Sequence, residues 1–393
     1  MPDPNMPDAI APNVTAPGAA APNAGAGGPA GGPALRVGVV GYGLAGRVFH
    51  APLAAATPGL RLAAVVTGSA ERGRQAADAY PGVRVVDRAE RLWDGPDRVD
   101  VVVVATPNAT HAALAAAALD AGCHAVVDKP VAATAAEVRA LAERARRAGR
   151  LLVPFHNRRW DGDFLTVRRL VAEGALGSVY RFESRFDRWR PGPPRAAWKD
   201  APAAEAGGLL YDLGPHLVDQ ALALLGPVVD VHAHVYAELD RRRGGGGPDD
   251  DWFLALTHAS GVRSHLGATT SAAEPAPRFR VTGSAGAYVK HGLDPQEAAL
   301  GAGARPGDPG YGDEPEGGWG VLTLGTAAGA GPPRPVRTDA GAYGAFYAAV
   351  RDAVLGIGPP PVTPEDAAAG LEVIEAARRR ALPNLHEIRS DQI

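Results

Sequence analysis

Three groups of residues in this 393-residue chain have the types and spacing to do chemistry. The first is Asp128-Lys129-Pro130, which follows the apolar run His124-Ala125-Val126-Val127. Pro130 removes a backbone donor and stiffens the turn. Lys129 then stands at the end of a strand, where its charge suits stabilising an alkoxide or polarising a carbonyl. The alternative is a solvated lysine in a loop. The second group is Gly207-Gly208-Leu209-Leu210-Tyr211-Asp212-Leu213-Gly214-Pro215-His216. Asp212 and His216 are four apart, which on a helix is one face. A histidine beside a carboxylate is a suitable proton acceptor near neutral pH. The alternative is a helix-start aspartate and a histidine satisfied in the core, and Pro215 marks either a first helical turn or a kink. The third group is His156-Asn157-Arg158-Arg159-Trp160-Asp161, at a domain junction where substrates sit. Asn157 and Arg158 are its candidate substrate contacts, and for Arg159 an interdomain ion pair is an equal reading. His232 and His234 share a strand face, but no third ligand is evident and no metal site is assigned.

These groups need a scaffold, and it begins at Leu35-Arg36-Val37-Gly38-Val39-Val40-Gly41-Tyr42-Gly43-Leu44-Ala45-Gly46. A short apolar run feeds into G-x-G-x-x-G, and a helix-compatible segment follows. Gly41 permits the tight turn, Gly43 lets a pyrophosphate approach the backbone, and Gly46 lets the helix pack close to the strand. The free N–H groups of the helix start, Leu44 and Ala45 among them, face the phosphates. The stretch predicts dinucleotide binding, and a nicotinamide oxidation of an alcohol needs a separate proton acceptor of the His216 kind.

Strand and helix alternate over the next 120 or so residues. Strands are expected at 35–40, 60–66, 83–86, 99–105, 124–128 and 151–155, with helices at about 110–121 and 135–148. This predicts an α/β fold with a doubly wound parallel sheet, and ligand at the carboxyl ends of its strands. That rule adds Ser69 and Arg72, then Thr106, Pro107, Asn108 and His111, then Asp128 and Lys129, as cofactor contacts. No carboxylate stands at the tip of the second strand, where an NAD enzyme presents one to the ribose. Ser69 and Arg72 suit a 2′-phosphate instead, so NADP is preferred, with NAD the alternative should Glu71 swing in.

After Phe155 the texture changes to alternating stretches near 179–186, 229–237, 252–258, 262–268 and 278–282, with few helices. A second, α+β domain with a largely antiparallel sheet is expected. Residues 241–251 read as a mobile hairpin loop and 294–320 as a long surface excursion. Helices are expected at 163–172 and 343–354, and a last one with Thr363 as N-cap and Pro364 at its first position. The domain reading is thus 1–34 as a disordered Pro/Ala/Gly-rich tail, 35–155 as the dinucleotide-binding domain and 156–393 as the substrate domain.

Net charge is −3 without a basic block, which argues against a nucleic-acid partner. Cys123 is the only cysteine, so no disulfide can form within the chain, as suits a cytoplasmic protein. No stretch is long and apolar enough to read as a membrane span.

On several of these stretches the chain resembles the Gfo/Idh/MocA family of NAD(P)-dependent oxidoreductases, over about residues 35 to 385. They are Gly41-Tyr42-Gly43 with Phe49-His50-Ala51-Pro52-Leu53, Thr106-Pro107-Asn108 with Thr110-His111, Val127-Asp128-Lys129-Pro130, 155–161, 211–220 and 288–297. The family pattern has Glu-Lys-Pro where this chain has Asp128-Lys129-Pro130. The likeness is greatest to the NADP-dependent scyllo-inositol dehydrogenase branch. The resemblance implies Lys129, Asp212 and His216 as the catalytic set, a cyclitol or sugar as substrate, and an open-faced second sheet that buries itself in a homodimer or homotetramer. Relatives that serve as co-regulators without turnover, or as glycosidases that use the nicotinamide transiently, give the alternative functions.

Overall fold

The computed structural model describes residues 33–190, 207–237 and 248–381. The tail expected to be disordered, apart from its last two residues, and most of the expected hairpin loop lie outside them.

The first sheet has six parallel strands: β1 (Leu35–Val40), β2 (Leu60–Val66), β3 (Arg84–Val86), β4 (Val101–Val104), β5 (His124–Val127) and β6 (Leu152–Pro154). Their order is β3-β2-β1-β4-β5-β6. Chain direction across the sheet reverses between β1 and β4, which opens a crevice above their carboxyl ends. The central strands β1, β4 and β5 are rich in valine and buried on both faces over most of their length, whereas the edge strand β3 is not. Val37, Val39, Val101 and Val103 meet an aromatic core of Phe155, Tyr343, Phe346 and Tyr347. Val40, Val102, Val104 and Val127 face the opposite core.

Helices α1 (Ala51–Ala56), α2 (Ala70–Ala79), α3 (His111–Asp120) and α4 (Ala135–Ala148) connect these strands. Thr134 and Glu137 form a reciprocal capping box on α4, and Gly149 ends it in the left-handed region. The segment after the glycine loop differs from a plain α-helix. Ala45–His50 is wound as a wider π-turn before α1. Pro52 has no N–H to give the carbonyl of Val48, and the wider turn precedes it.

The second sheet is built from β7 (Val179–Asp187), β8 (Val228–Tyr236), β9 (Asp251–His258), β10 (Arg263–Thr269), β11 (Phe279–Gly283), β12 (Gly286–Lys290), β13 (Gly320–Thr326), β14 (Gly329–Ala330) and β15 (Arg334–Val336). The order is β14-β13-β12-β11-β7-β10-β9-β8, with β15 on β13. Every neighbouring pair is antiparallel except β7 and β10, which run parallel. Alternate residues such as Phe182, Ser184 and Phe186, or Trp252, Leu254 and Leu256, are buried, and the residues between them are partly exposed.

Among the described residues five further α-helices follow: α5 (Gly162–Ala172), α6 (Leu209–Leu225), α7 (Gln296–Gly301), α8 (Tyr343–Val354) and α9 (Pro364–Ala381). Helix α9 starts as expected: Thr363 Oγ1 accepts from the Asp366 N–H, and the Asp366 carboxylate accepts from the Thr363 N–H. It lies against α4, α6 and β8, so one continuous core joins the two sheets. The stretch 294–320 is exposed or partly exposed over most of its length, as expected of a surface excursion. The excursion at 294–320 is pinned at its start, where Asp294 accepts from the Gly162 N–H at 2.7 Å and Gln296 accepts from the Tyr343 N–H at 2.8 Å. Asp249, placed within the mobile loop, instead anchors the start of α6, as described below. Among the described residues no helix is long and apolar enough to cross a membrane.

Candidate active site

The glycine loop stands at the mouth of the β1/β4 crevice, and its geometry suits a dinucleotide. Gly41 has φ +95°, and a Cβ there would meet the Ala105 carbonyl oxygen at 2.4 Å. A Cβ on Gly46 would lie 2.0 Å from the Gly41 oxygen, so loop and helix start touch backbone to backbone. A Cβ on Gly43 would meet nothing within 4 Å, and this is the open side on which a pyrophosphate can approach. Leu44 is exposed beside it, and Ala45 begins the π-turn. At the tip of β2, Ser69 caps α2 by accepting from the Arg72 N–H at 3.3 Å. The Arg72 side chain is exposed. Glu71 accepts from Gln75 Nε2 one turn on, so its carboxylate is drawn along the helix.

Lys129 and Asp212 come together across 83 residues. Lys129 Nζ donates to Asp212 Oδ1 at 3.1 Å and to the Asp212 carbonyl oxygen at 2.5 Å. Both side chains are mostly buried. Helix α6 supplies Asp212 and His216, and it is longer than a first-turn reading of Pro215 allows, because Pro215 lies inside it. Pro215 has no N–H to give the Tyr211 carbonyl, so the helix is open on this turn, next to the carbonyl that Lys129 engages. His216 is buried with its Nδ1 unpartnered among the described residues. Burial, with the cations Lys129 and Arg158 next in effect, holds its imidazole well below the ordinary histidine range. At neutral pH it is a neutral ring with proton-accepting capacity.

The start of α6 is fixed by Asp249, a residue that local sequence did not single out. Its carbonyl accepts from the Leu209 N–H at 2.8 Å and its Oδ2 accepts from the Leu210 N–H at 2.6 Å. Arg378 on α9 pairs with its other oxygen at 2.7 Å. Gly208 has φ +91°, and a Cβ there would fall 2.1 Å from Asp249 Oδ1. The helix macrodipole favours this carboxylate, and the absence of a side chain admits it.

The other sequence candidates divide into those at the crevice and those that hold the frame. Thr106, Pro107 and Asn108 form the loop after β4, where Thr106 and Thr110 hydroxyls meet at 2.7 Å. His111 is buried, with Nδ1 2.7 Å from the Pro130 oxygen and Nε2 2.8 Å from the Thr106 oxygen. Both ring nitrogens are thus taken up in tying the β4 and β5 loops together. Asp128 accepts from the Lys129 N–H at 2.8 Å. Burial opposes its charge, but His50 and Lys129 beside it outweigh that and hold its carboxyl below the usual range. His50, named above only within a stretch that carries the resemblance and given no role there, bonds Tyr347 at 2.7 Å and points Nε2 at Asp128 from 3.8 Å. Asn157 is buried at the start of a 3-10 turn. Arg158 is buried and paired with Asp161 at 3.3 Å and Glu297 at 2.8 Å. Arg159 is taken up in an ion pair, but its partners lie within 156–393 and not across the domain junction: its guanidinium grips both Asp219 oxygens at 2.7 and 2.9 Å and reaches Asp366 at 3.4 Å. Cys123 is fully buried. Among the described residues no group of His, Cys, Asp and Glu is arranged to hold a metal.

Residues 35–156 match the family described as oxidoreductase family, NAD-binding Rossmann fold. Residues 164–289 match the Gfo/Idh/MocA C-terminal domain. The uncharacterized oxidoreductase YdgJ of Escherichia coli is 43% identical over 351 residues, covering 88% of this chain and 97% of that protein. The NADP(+)-dependent scyllo-inositol 2-dehydrogenase IolW of Bacillus subtilis is 33% identical over 344 residues, covering 87% and 92%. Among solved structures, the YPO2259 oxidoreductase of Yersinia pestis superposes with a TM-score of 0.82 at 39% identity, covering 90% of this chain and 96% of that one. With both family domains matched in order and this fold beneath them, the chain belongs to the Gfo/Idh/MocA family of oxidoreductases.

Proposed function

We propose that this protein is an NADP-dependent dehydrogenase acting on a secondary hydroxyl of a cyclitol or sugar, with residues 35–155 holding the cofactor and 156–393 supplying the substrate wall. The observation that carries the reading is the meeting of Lys129 with Asp212 on the turn that presents a neutral, buried His216. The nicotinamide, when bound, supplies the hydride acceptor. The N–H groups at Gly43 to Gly46 hold its pyrophosphate, and Thr106, Pro107 and Asn108 line the crevice, with His111 fixing their loop. His216 accepts the hydroxyl proton. Lys129 stabilises the oxygen as negative charge develops on it, and Asp212 holds Lys129 in place. Asn157 and Arg158 bound the substrate side.

Screening polyols and sugars against both cofactors, read as steady NADPH formation, tests the reading. No turnover with any of them overturns it. NADP specificity rests on Arg72, exposed at the tip of β2 with Glu71 turned along its helix. A charge-assisted bond to a 2′-phosphate contributes about 1.5–3 kcal/mol, so Arg72→Ala is expected to cut the NADP preference in kcat/KM by about tenfold to a hundredfold. A parent that prefers NAD, or a variant with unchanged preference, contradicts this half.

The relative IolW carries NADP(+) and scyllo-inositol in its name, which supports the same choice. The protein is also proposed to be cytoplasmic and to form a homodimer or homotetramer. The second sheet buries one face in the core, while Phe253, Val289 and Val321 lie partly exposed on the other. Light scattering on the purified chain is expected to give a multiple of the monomer mass, and Phe253→Glu is expected to lower it. A monomeric parent contradicts the assembly.

A further inference from the structure

Phe186 is buried on β7, and three guanidiniums stand against its ring. Arg188 lies 4.6 Å from the ring centroid, Arg158 4.9 Å and Arg278 5.3 Å. Two of the three are satisfied by acids and amides. Arg158 pairs with Asp161 and Glu297. Arg278 lies 3.9 Å from Asp163 and donates to the Ser184 hydroxyl and, at 2.8 Å, to Gln220. The Arg188 guanidinium makes no hydrogen bond and no ion pair among the described residues. Its backbone is fixed all the same: the Arg188 N–H donates to the Thr269 carbonyl at 2.9 Å and its carbonyl accepts from the Ala272 N–H.

Arg188 is half-buried and stands in the field of Glu297 and Asp212, which are engaged by Arg158 and Lys129. Burial and the like charges of Arg190 and Arg158 work against its own charge. A guanidinium drawn out of water and set beside other guanidiniums is unfavourable until an anion joins it. Arginine's planar donor pair matches a carboxylate or phosphate in two parallel bonds. The strand pattern explains how it comes to face this way. Phe182, Ser184 and Phe186 are the inward residues of β7, and Arg188 continues their parity at the strand's end.

We propose that Arg188 is a substrate-anchoring residue for an oxyanion, a carboxylate or phosphate monoester, carried by the sugar or polyol at some remove from the hydroxyl that meets Lys129 and His216. The inference rests on the dehydrogenase reading above and narrows its substrate class from neutral polyols to acidic ones. Arg188 takes no part in bond breaking; it fixes the end of the substrate that does not react.

The test measures kcat/KM with NADP on the full chain for neutral sugars and polyols, the corresponding uronates or aldonates, and the corresponding sugar phosphates. One acidic series is expected to exceed its neutral parent by about tenfold to a hundredfold, the range for a hydrogen-bonded charged group. Which series does so identifies the oxyanion. Arg188→Gln is expected to bring that ratio close to one, and Arg188→Lys, with charge but no planar donor pair, to an intermediate value. Calorimetric titration of glucuronate and of inorganic phosphate into the NADP-saturated protein gives a readout without turnover, and Arg188→Gln is expected to weaken binding of one of them at least tenfold. A neutral substrate preferred by parent and variant alike overturns the proposal. So does a Gln variant, folded by its melting curve, that loses neutral and acidic substrates equally or loses NADP binding instead. Absence of turnover with every substrate overturns the dehydrogenase reading, and the calorimetry still decides whether Arg188 holds an anion.

Discussion

Replacing Lys129 or His216 by alanine is expected to lower kcat by about 10²–10⁴-fold, the usual effect of losing a positioned acid–base group. Cofactor affinity should change far less, because the glycine loop proposed to hold the pyrophosphate follows β1, whereas Lys129 follows β5 and His216 lies on α6. The two variants should differ in their pH dependence. His216 must be neutral to accept the hydroxyl proton. Burial and the neighbouring cations keep it neutral to well below pH 6.5, so the parent's oxidation rate should hold through neutrality and fall only on the acid side. His216→Ala should remove that acid limb as well as the rate. The same displacement sets a stability trend. The unfolded chain binds the histidine proton more readily than the folded one, so stability from burying His216 is present above about pH 6.5 and declines as pH falls below it. Near-normal turnover in either folded variant would take that residue out of the mechanism.

Arg159→Met is expected to destabilise the fold by about 3–5 kcal/mol, because it strands a buried carboxylate. Asp219 lies on α6 almost without exposure, and both its oxygens accept from Arg159. Burial raises the cost of its charge, but Arg159 and His156 outweigh this and hold its carboxyl below the ordinary range. That stability is present above the unfolded value near pH 3.9 and is lost as pH falls through the lower folded value. In the variant the partner is gone, so loss should begin at higher pH. The effect should appear as a lower urea midpoint with an unchanged slope. The double variant Arg159→Met with Asp219→Leu should recover much of the loss, since apolar residues of similar volume replace such pairs with little penalty. A single variant as stable as the parent would show that the pair is not structural.

The first sheet was legible in the sequence because its signals are local. A strand buried on both faces must be a continuous β-branched run, and Val101–Val104 is one. Helix α4 announces itself by its amphipathic period and its end at Gly149, and α9 by Thr363 and Pro364. The glycine loop and Lys129 follow from where those strands end. The single parallel pair, β7 with β10, could not be read, because alternation reports which face a residue takes and not the direction of its neighbour.

The site was legible only in parts. Residue types marked Lys129, Asp212 and His216, but the meeting of Lys129 with Asp212 spans 83 residues and depends on how α6 is seated. That seat is made by Asp249, in a stretch whose glycines and charges read as a mobile loop. His111 looked like a cofactor contact because it sits at a strand's carboxyl edge, yet two backbone carbonyls occupy its ring. Arg158 and Arg159 are adjacent and chemically alike, and only the packing around them faces one to Glu297 and the other to Asp219. The sequence by itself determined the elements, their caps and the edge at which ligand can bind, since these follow from backbone preference and burial period. The tertiary structure decided which charges are spent on one another and which, like Arg188, are left for a ligand, because a charge is satisfied by whatever the folded chain brings within about 4 Å of it, at any distance along the sequence.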